Sequence, residues 1–98
     1  QILYLRDIAY IEASKQYTII HLVDKQSLFC DESISHWEDI LPQDKFGRCH
    51  RSYIIHYAHI DKLDEEILLY NKESIPISRR QKSYIKKQYT KFILRNAN

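Results

Sequence analysis

Residues Tyr17–Cys30 read YTIIHLVDKQSLFC. The first seven, Tyr17 to Val23, are almost all β-branched, aromatic or apolar, the residue types that pack well on a pleated surface. Asp24-Lys25 then interrupts the run with two polar residues, and Gln26 to Cys30 resumes it, so the stretch predicts a β-hairpin. Working outward towards the start, Ile2 to Leu5 and Ile8 to Glu12 are two further short runs of β type, separated by Arg6-Asp7.

Towards the end of the chain the periodicity first changes. Ile34, Trp37, Ile40 and Leu41 recur three or four apart, which predicts a short helix over Ser33 to Leu41 that buries Ile34, Trp37 and Leu41 on the sheet. Ser33 is placed to cap it, Ser35 with Glu38 forms a capping-box pattern one turn later, and Pro42 stops it. Strand-like runs return at Tyr53 to His56, Ile60 to Leu63, Ile67 to Tyr70 and Ser74 to Ile77. Asp64 to Glu66 and Asn71-Lys72 serve as turns. Pro76 cannot donate to a ladder, which places the last run at a sheet edge. Ile85, Tyr89, Phe92 and Ile93 then mark one face of a C-terminal helix, with the lysines largely on its other faces. The expected architecture is mostly β, with one short central helix and one terminal helix.

Ninety-eight residues with 44% hydrophobic content suit one domain with a real core and leave no room for two. The chain opens at Gln1, which suggests a fragment of a longer protein. It has neither an apolar run near the roughly 18 residues that span a bilayer nor a secretory leader. Cys30 and Cys49 are not in a CxxC arrangement and are too sparse for a disulfide-stapled fold, which points to packed thiols in a reducing, cytoplasmic setting.

The net charge of +2 conceals a strong asymmetry. After Glu73 there is no acid, and Arg79, Arg80, Lys82, Lys86, Lys87, Lys91 and Arg95 give +7, whereas residues 1–73 sum to −5. Such polarity suits either a polyanion partner or a solvated basic helix.

For catalysis, Cys49-His50 are adjacent, so a regular strand would point them to opposite faces. A Cys/His pair with His21, His36, His56 or His59 would depend on the fold, and no nucleophile elbow or Gly-rich phosphate loop supports one. His56 and His59 stand three apart without the additional ligands of a zinc site. Neither a metal nor another cofactor is expected. The segment FGRCHRSYIIHY at Phe46 to Tyr57 differs in kind. Arg48, His50, Arg51 and Ser52 concentrate donors suited to phosphate oxygens, while Phe46, Tyr53 and Ile55 can anchor the loop. The alternative has Arg48 and Arg51 pairing with Asp39, Asp44 or Asp61. A second cluster, ISRRQK at Ile77 to Lys82, opens the terminal helix, where backbone N–H groups favour anions and an arginine fork can address guanine O6 and N7 together.

In this order the segments resemble the LytTR family of bacterial DNA-binding domains. The matching pieces are IAYIEASKQYTIIHL at Ile8 to Leu22, ILP at Ile40 to Pro42, FGRCHRSYIIH at Phe46 to His56 and IPISRR at Ile75 to Arg80. The resemblance implies an elongated β-sheet fold that inserts loops into DNA grooves. It also implies the C-terminal output module of a two-component response regulator, joined to a receiver domain and binding direct promoter repeats as a dimer. Carried over residue by residue, base reading falls on Ser14, Lys15, Gln16, Tyr17 and Arg80, and backbone contact on Arg48, His50, Arg51 and Ser52, with Ser78 and Arg79 nearby. Tyr17 equally suits the first core position of its strand. Two departures stand out: His56 occupies a position where many members have Asn, and the family's usual first strand is missing, which leaves the edge near Ile8 bare or differently paired. The rival class is a protein-interaction module using exposed β edges and the basic helix; a single-stranded RNA binder is a weaker one.

Overall fold

The computed structural model describes residues 2–97; Gln1 and Asn98, the bounds of the expected domain, lie outside the described residues. The hairpin of Tyr17–Cys30 is present as β2 (Tyr17–Leu22) and β3 (Ser27–Cys30), and β2 also pairs with β1 (Ile8–Ser14). Helix α1 (Ile34–Ile40) follows, then β4 (Phe46–His50) and β5 (Tyr53–His56). These five strands form one antiparallel sheet in the order β3-β2-β1-β5-β4. A second sheet contains β6 (Ile60–Leu63), β7 (Glu66–Leu69) and β8 (Ser74–Pro76), and α2 (Arg79–Asn96) closes the chain. Pro76 lies on an edge strand, as its missing N–H requires.

Both faces of the larger sheet are covered, which explains the consecutive buried residues of β1. On one face Ile8, Ile11, Ile20, Phe46 and Ile54 meet Ile34 and Leu41 of the α1 segment. On the other, Ala9, Tyr10, Cys49 and Ile55 meet Ile60, Ile67, Leu69 and Ile75 of the second sheet and Ile85 of α2. A register slip between Ile8 and Tyr10 lets the neighbours Ala9 and Tyr10 share one core. The domain measures 35 × 29 × 25 Å. Among the described residues no helix is long and apolar enough to cross a membrane.

Four expectations need correction. Ile2 to Leu5 form no strand: the segment ends in a 3₁₀ turn at Leu5–Asp7, closed by the Ile8 N–H on the Leu5 carbonyl, and Ile2 is 75% exposed. β1 has no vacant edge for it, being flanked by β2 and β5. The edge near Ile8 is likewise not bare, because Ile8 pairs with Leu22 and its carbonyl accepts from His56 Nδ1 at 2.9 Å. Phe46 to His50, expected as an anchored loop, is strand β4. Finally, Ile93 keeps its helical spacing but faces outward, away from the face of Ile85, Tyr89 and Phe92. In α1 the buried face carries Ile34 and Leu41 with half-buried Trp37, whose indole N–H donates to Thr18 Oγ1 at 2.8 Å.

Gly47 sits where β4 packs directly on Tyr57 and Ile85. A side chain there would run into the hydroxyl of fully buried Tyr57 and come within 2.8 Å of Ile85. The strand, the Tyr57 ring and α2 therefore pack together only around a residue without Cβ.

Candidate functional site

Three blocks far apart in sequence meet at one end of the larger sheet. The first is the β1–β2 hairpin, in which Ser14 pairs with Tyr17 across a two-residue turn of Lys15 and Gln16. Lys15 adopts φ 58°, a left-handed conformation uncommon outside glycine. All four residues are exposed. Tyr17, at 52% exposure, is thus not the first core residue of its strand.

The second block is the β4–β5 turn. It lies beside the end of β1 because the Ala13 N–H donates to the Ser52 carbonyl at 2.8 Å. His50 Nδ1 accepts from the Ser52 N–H at 3.1 Å, which leaves Nε2–H as the ring's outward donor. The ring packs edge-on against Tyr53 at 5.6 Å. Arg51 is exposed, and among the described residues its guanidinium forms no hydrogen bond or ion pair. Arg48 is different: Nε donates to the His50 carbonyl at 3.1 Å, one terminal nitrogen donates to the Arg51 carbonyl, and the other meets Glu38 Oε1 at 2.7 Å. The expected acidic partner was Asp39, Asp44 or Asp61. Glu38 takes the role because it lies one helical turn beyond buried Ile34, on the side of α1 that meets the sheet.

The third block begins α2. The Ser78 N–H donates to the Cys49 carbonyl at 2.9 Å, tying the helix start to β4. Ser78 Oγ caps the helix by accepting from the Gln81 N–H at 3.3 Å. Arg79 and Arg80 follow, both exposed, in a first turn with no acidic residue. Side chains of Arg48, His50, Arg51, Ser78 and Arg80 line one open cleft of about 620 Å³, together with Glu38 and Gln81. Arg79, Ser52 and the Ser14–Tyr17 hairpin lie outside that lining. Glu38 and Gln81 were not anticipated in the site; Glu38 carried only helical signals, its spacing from Ile34 and its capping-box pattern with Ser35, whereas Ser33 is the residue that caps α1.

The other reactive groups are occupied. A register slip between Arg48 and His50 removes the alternation expected for Cys49-His50. Cys49 is fully buried, its thiol pushed up to about 12 by burial, with Sγ against the carbonyls of Tyr53 and Pro76. His56 and His59 rings stand edge-on at 4.7 Å, and each ring is also bonded to a backbone carbonyl, Ile8 for His56 and Arg6 for His59.

Fold and cleft together define a class: a small antiparallel β scaffold with a largely cationic cleft built from turns and a helix start. The chain belongs to the LytTr DNA-binding domain family, whose model matches residues 2–90. Among solved structures it is similar to one described as the LytTr DNA-binding domain of a response regulator from Bacillus cereus. The two share 28% identity and a TM-score of 0.77, over 84% of this chain and 80% of that one. Among curated proteins none matches the sequence.

Proposed function

We propose that this domain binds double-stranded DNA sequence-specifically and serves as the output domain of a bacterial two-component response regulator. The supporting observation is the convergence just described: the Ala13–Ser52 and Ser78–Cys49 backbone bonds bring three separate donor blocks to one end of the sheet. Phosphate oxygens are met by Arg51, His50 Nε2–H, Ser52 and Arg79, with the exposed N–H groups at the start of α2 reinforcing them. Ser78 caps that start, and Arg48 shapes the adjoining turn. Base edges are read by Arg80 and by the Ser14–Tyr17 hairpin, whose protruding Lys15, Gln16 and Tyr17 are small enough as a turn to enter a groove. In the whole protein a receiver domain precedes this one, the protein works in the cytoplasm, and two copies occupy direct repeats in a promoter.

Selection of bound duplexes from a random pool at near-physiological salt tests this reading. An enriched half-site that recurs at fixed spacing is the expected result, and recovery of the pool's starting composition contradicts it. One observation favours a rival: β3 forms an outer edge of the larger sheet and carries Phe29 at 78% exposure, a surface fit for docking a protein. That rival predicts no sequence-dependent retention of duplex.

A further inference from the structure

Arg48 and Glu38 both line the basic cleft, yet they engage each other and the turn. The Arg48 side chain is only 21% exposed, and its donors reach three acceptors on two elements: the carbonyls of His50 and Arg51 and the carboxylate of Glu38. An arginine used in this way has few N–H groups left for a phosphate. Its planar fork instead closes the β4–β5 turn from inside, and the carboxylate of α1 fixes the plane of the fork. The side chains of the two residues whose carbonyls Arg48 holds are left for a ligand: Arg51 is exposed with no partner among the described residues, and His50 has its Nδ1 committed to the Ser52 N–H, which leaves Nε2–H.

The geometry points to Arg48 and Glu38 as positioning residues for DNA recognition: an ion-paired brace that holds the His50–Ser52 turn in its binding shape, with Arg51 and His50 making the contacts. This rests on the DNA-binding reading above and deepens it. The brace runs against simple electrostatics. A carboxylate facing a polyanion weakens binding through like-charge repulsion, so its removal should tighten binding unless the residue performs a structural task that outweighs the repulsion.

Two measurements test the brace. In the DNA-free protein, backbone amide exchange at Arg51 and Ser52 and the order of the Arg48 Nε–H are compared between wild type and Glu38→Ala. Faster exchange and a disordered Nε–H in the variant, with the remaining amides unchanged, support the brace; an unchanged turn overturns it whether or not the domain binds DNA. Binding of the selected duplex and of a scrambled duplex is then followed against salt. Glu38→Ala should lower the ratio of specific to non-specific affinity about tenfold, while Glu38→Gln, which retains the acceptor and drops the charge, recovers most of it. Arg48→Lys should weaken specific binding with a salt slope like wild type, whereas loss of a phosphate ligand lowers that slope by about 0.9. Tighter binding of both duplexes by Glu38→Ala and Glu38→Gln alike overturns the brace but leaves the DNA-binding reading intact. Failure of the wild type to prefer any duplex refutes that reading alone, since the exchange measurement still decides the brace.

Discussion

Arg51 and Arg80 carry the same charge and line the same cleft, but they sit on different supports and should fail differently when removed. Arg51 projects from a turn, its guanidinium unpaired among the described residues, which suits an ion atmosphere better than a base edge. Arg51→Ala is expected to weaken all duplexes alike and to reduce the slope of log K against log salt by about 0.9. Arg80 springs from the rigid backbone of the first turn of α2, so Arg80→Ala should cost roughly 1–3 kcal/mol on the preferred site and relax discrimination at one base pair. Binding isotherms of both variants on preferred and single-substituted duplexes check this, and identical behaviour of the two would refute the division of roles. At Gly47 the consequence is for stability. Gly47→Ala forces a methyl group against Tyr57 and Ile85 and should destabilise by about 1–3 kcal/mol in denaturant titration. Tyr57→Phe in that background should restore part of the loss. By itself it should cost nothing, because the Tyr57 hydroxyl is buried without a hydrogen-bond partner among the described residues.

Elements with a local pattern were legible, while the pairing of distant ones, such as β1 with β5, was not. YTIIHLV and the break at Asp24-Lys25 contain the whole β2–β3 hairpin, and the spacing of Ile34, Trp37 and Leu41 contains α1, because both depend on neighbours in sequence. β4 escaped because FGRCH has no alternation to read: Phe46 and Gly47 are both buried, and a bulge follows. Ile2 to Leu5 misled in the opposite sense, since β-type composition makes a strand only where a neighbouring edge is free. The turns at Asp24-Lys25 and Asn71-Lys72 were legible but their left-handed backbone was not, as Lys15, Lys25 and Lys72 occupy conformations usually signalled by glycine or asparagine. In the site, the donor-rich blocks could be read residue by residue, whereas the backbone bonds that bring them together and the Glu38 brace required the fold. The capping of α2 gives a prediction at this scale. Ser78→Asp preserves an acceptor for the Gln81 N–H and suits the helix dipole, so thermal stability should stay within about 0.5 kcal/mol of wild type. The same carboxylate in the cleft should lower DNA affinity about tenfold or more through like-charge repulsion. Loss of stability and affinity together would show that Ser78 acts only through the cap.

At the scale of the whole molecule, His56 links stability to pH. This side chain is 4% exposed, donates Nδ1–H to the Ile8 carbonyl and stacks on Phe46 at 4.3 Å, so it replaces a strand partner at the start of β1. Burial pulls its pKa from the ordinary 6.5 down to about 4, with the nearby His59 and Lys45 also disfavouring the charge. Between these values the unfolded chain takes up a proton that the folded domain refuses. Stability is therefore fully present above pH 6.5 and falls as the pH drops towards 4, by about 3 kcal/mol if the full shift is expressed. That is a large part of the ~5–15 kcal/mol that holds a domain of this size together. His56→Asn retains a donor for the Ile8 carbonyl and cannot titrate. Comparing denaturant midpoints of the two proteins at several pH values removes the contribution of the carboxylates, which both share. The wild type should lose stability relative to the variant steadily from pH 6.5 to 4, and a difference that stays flat across this window would mean that His56 is protonated as readily inside the fold as outside it.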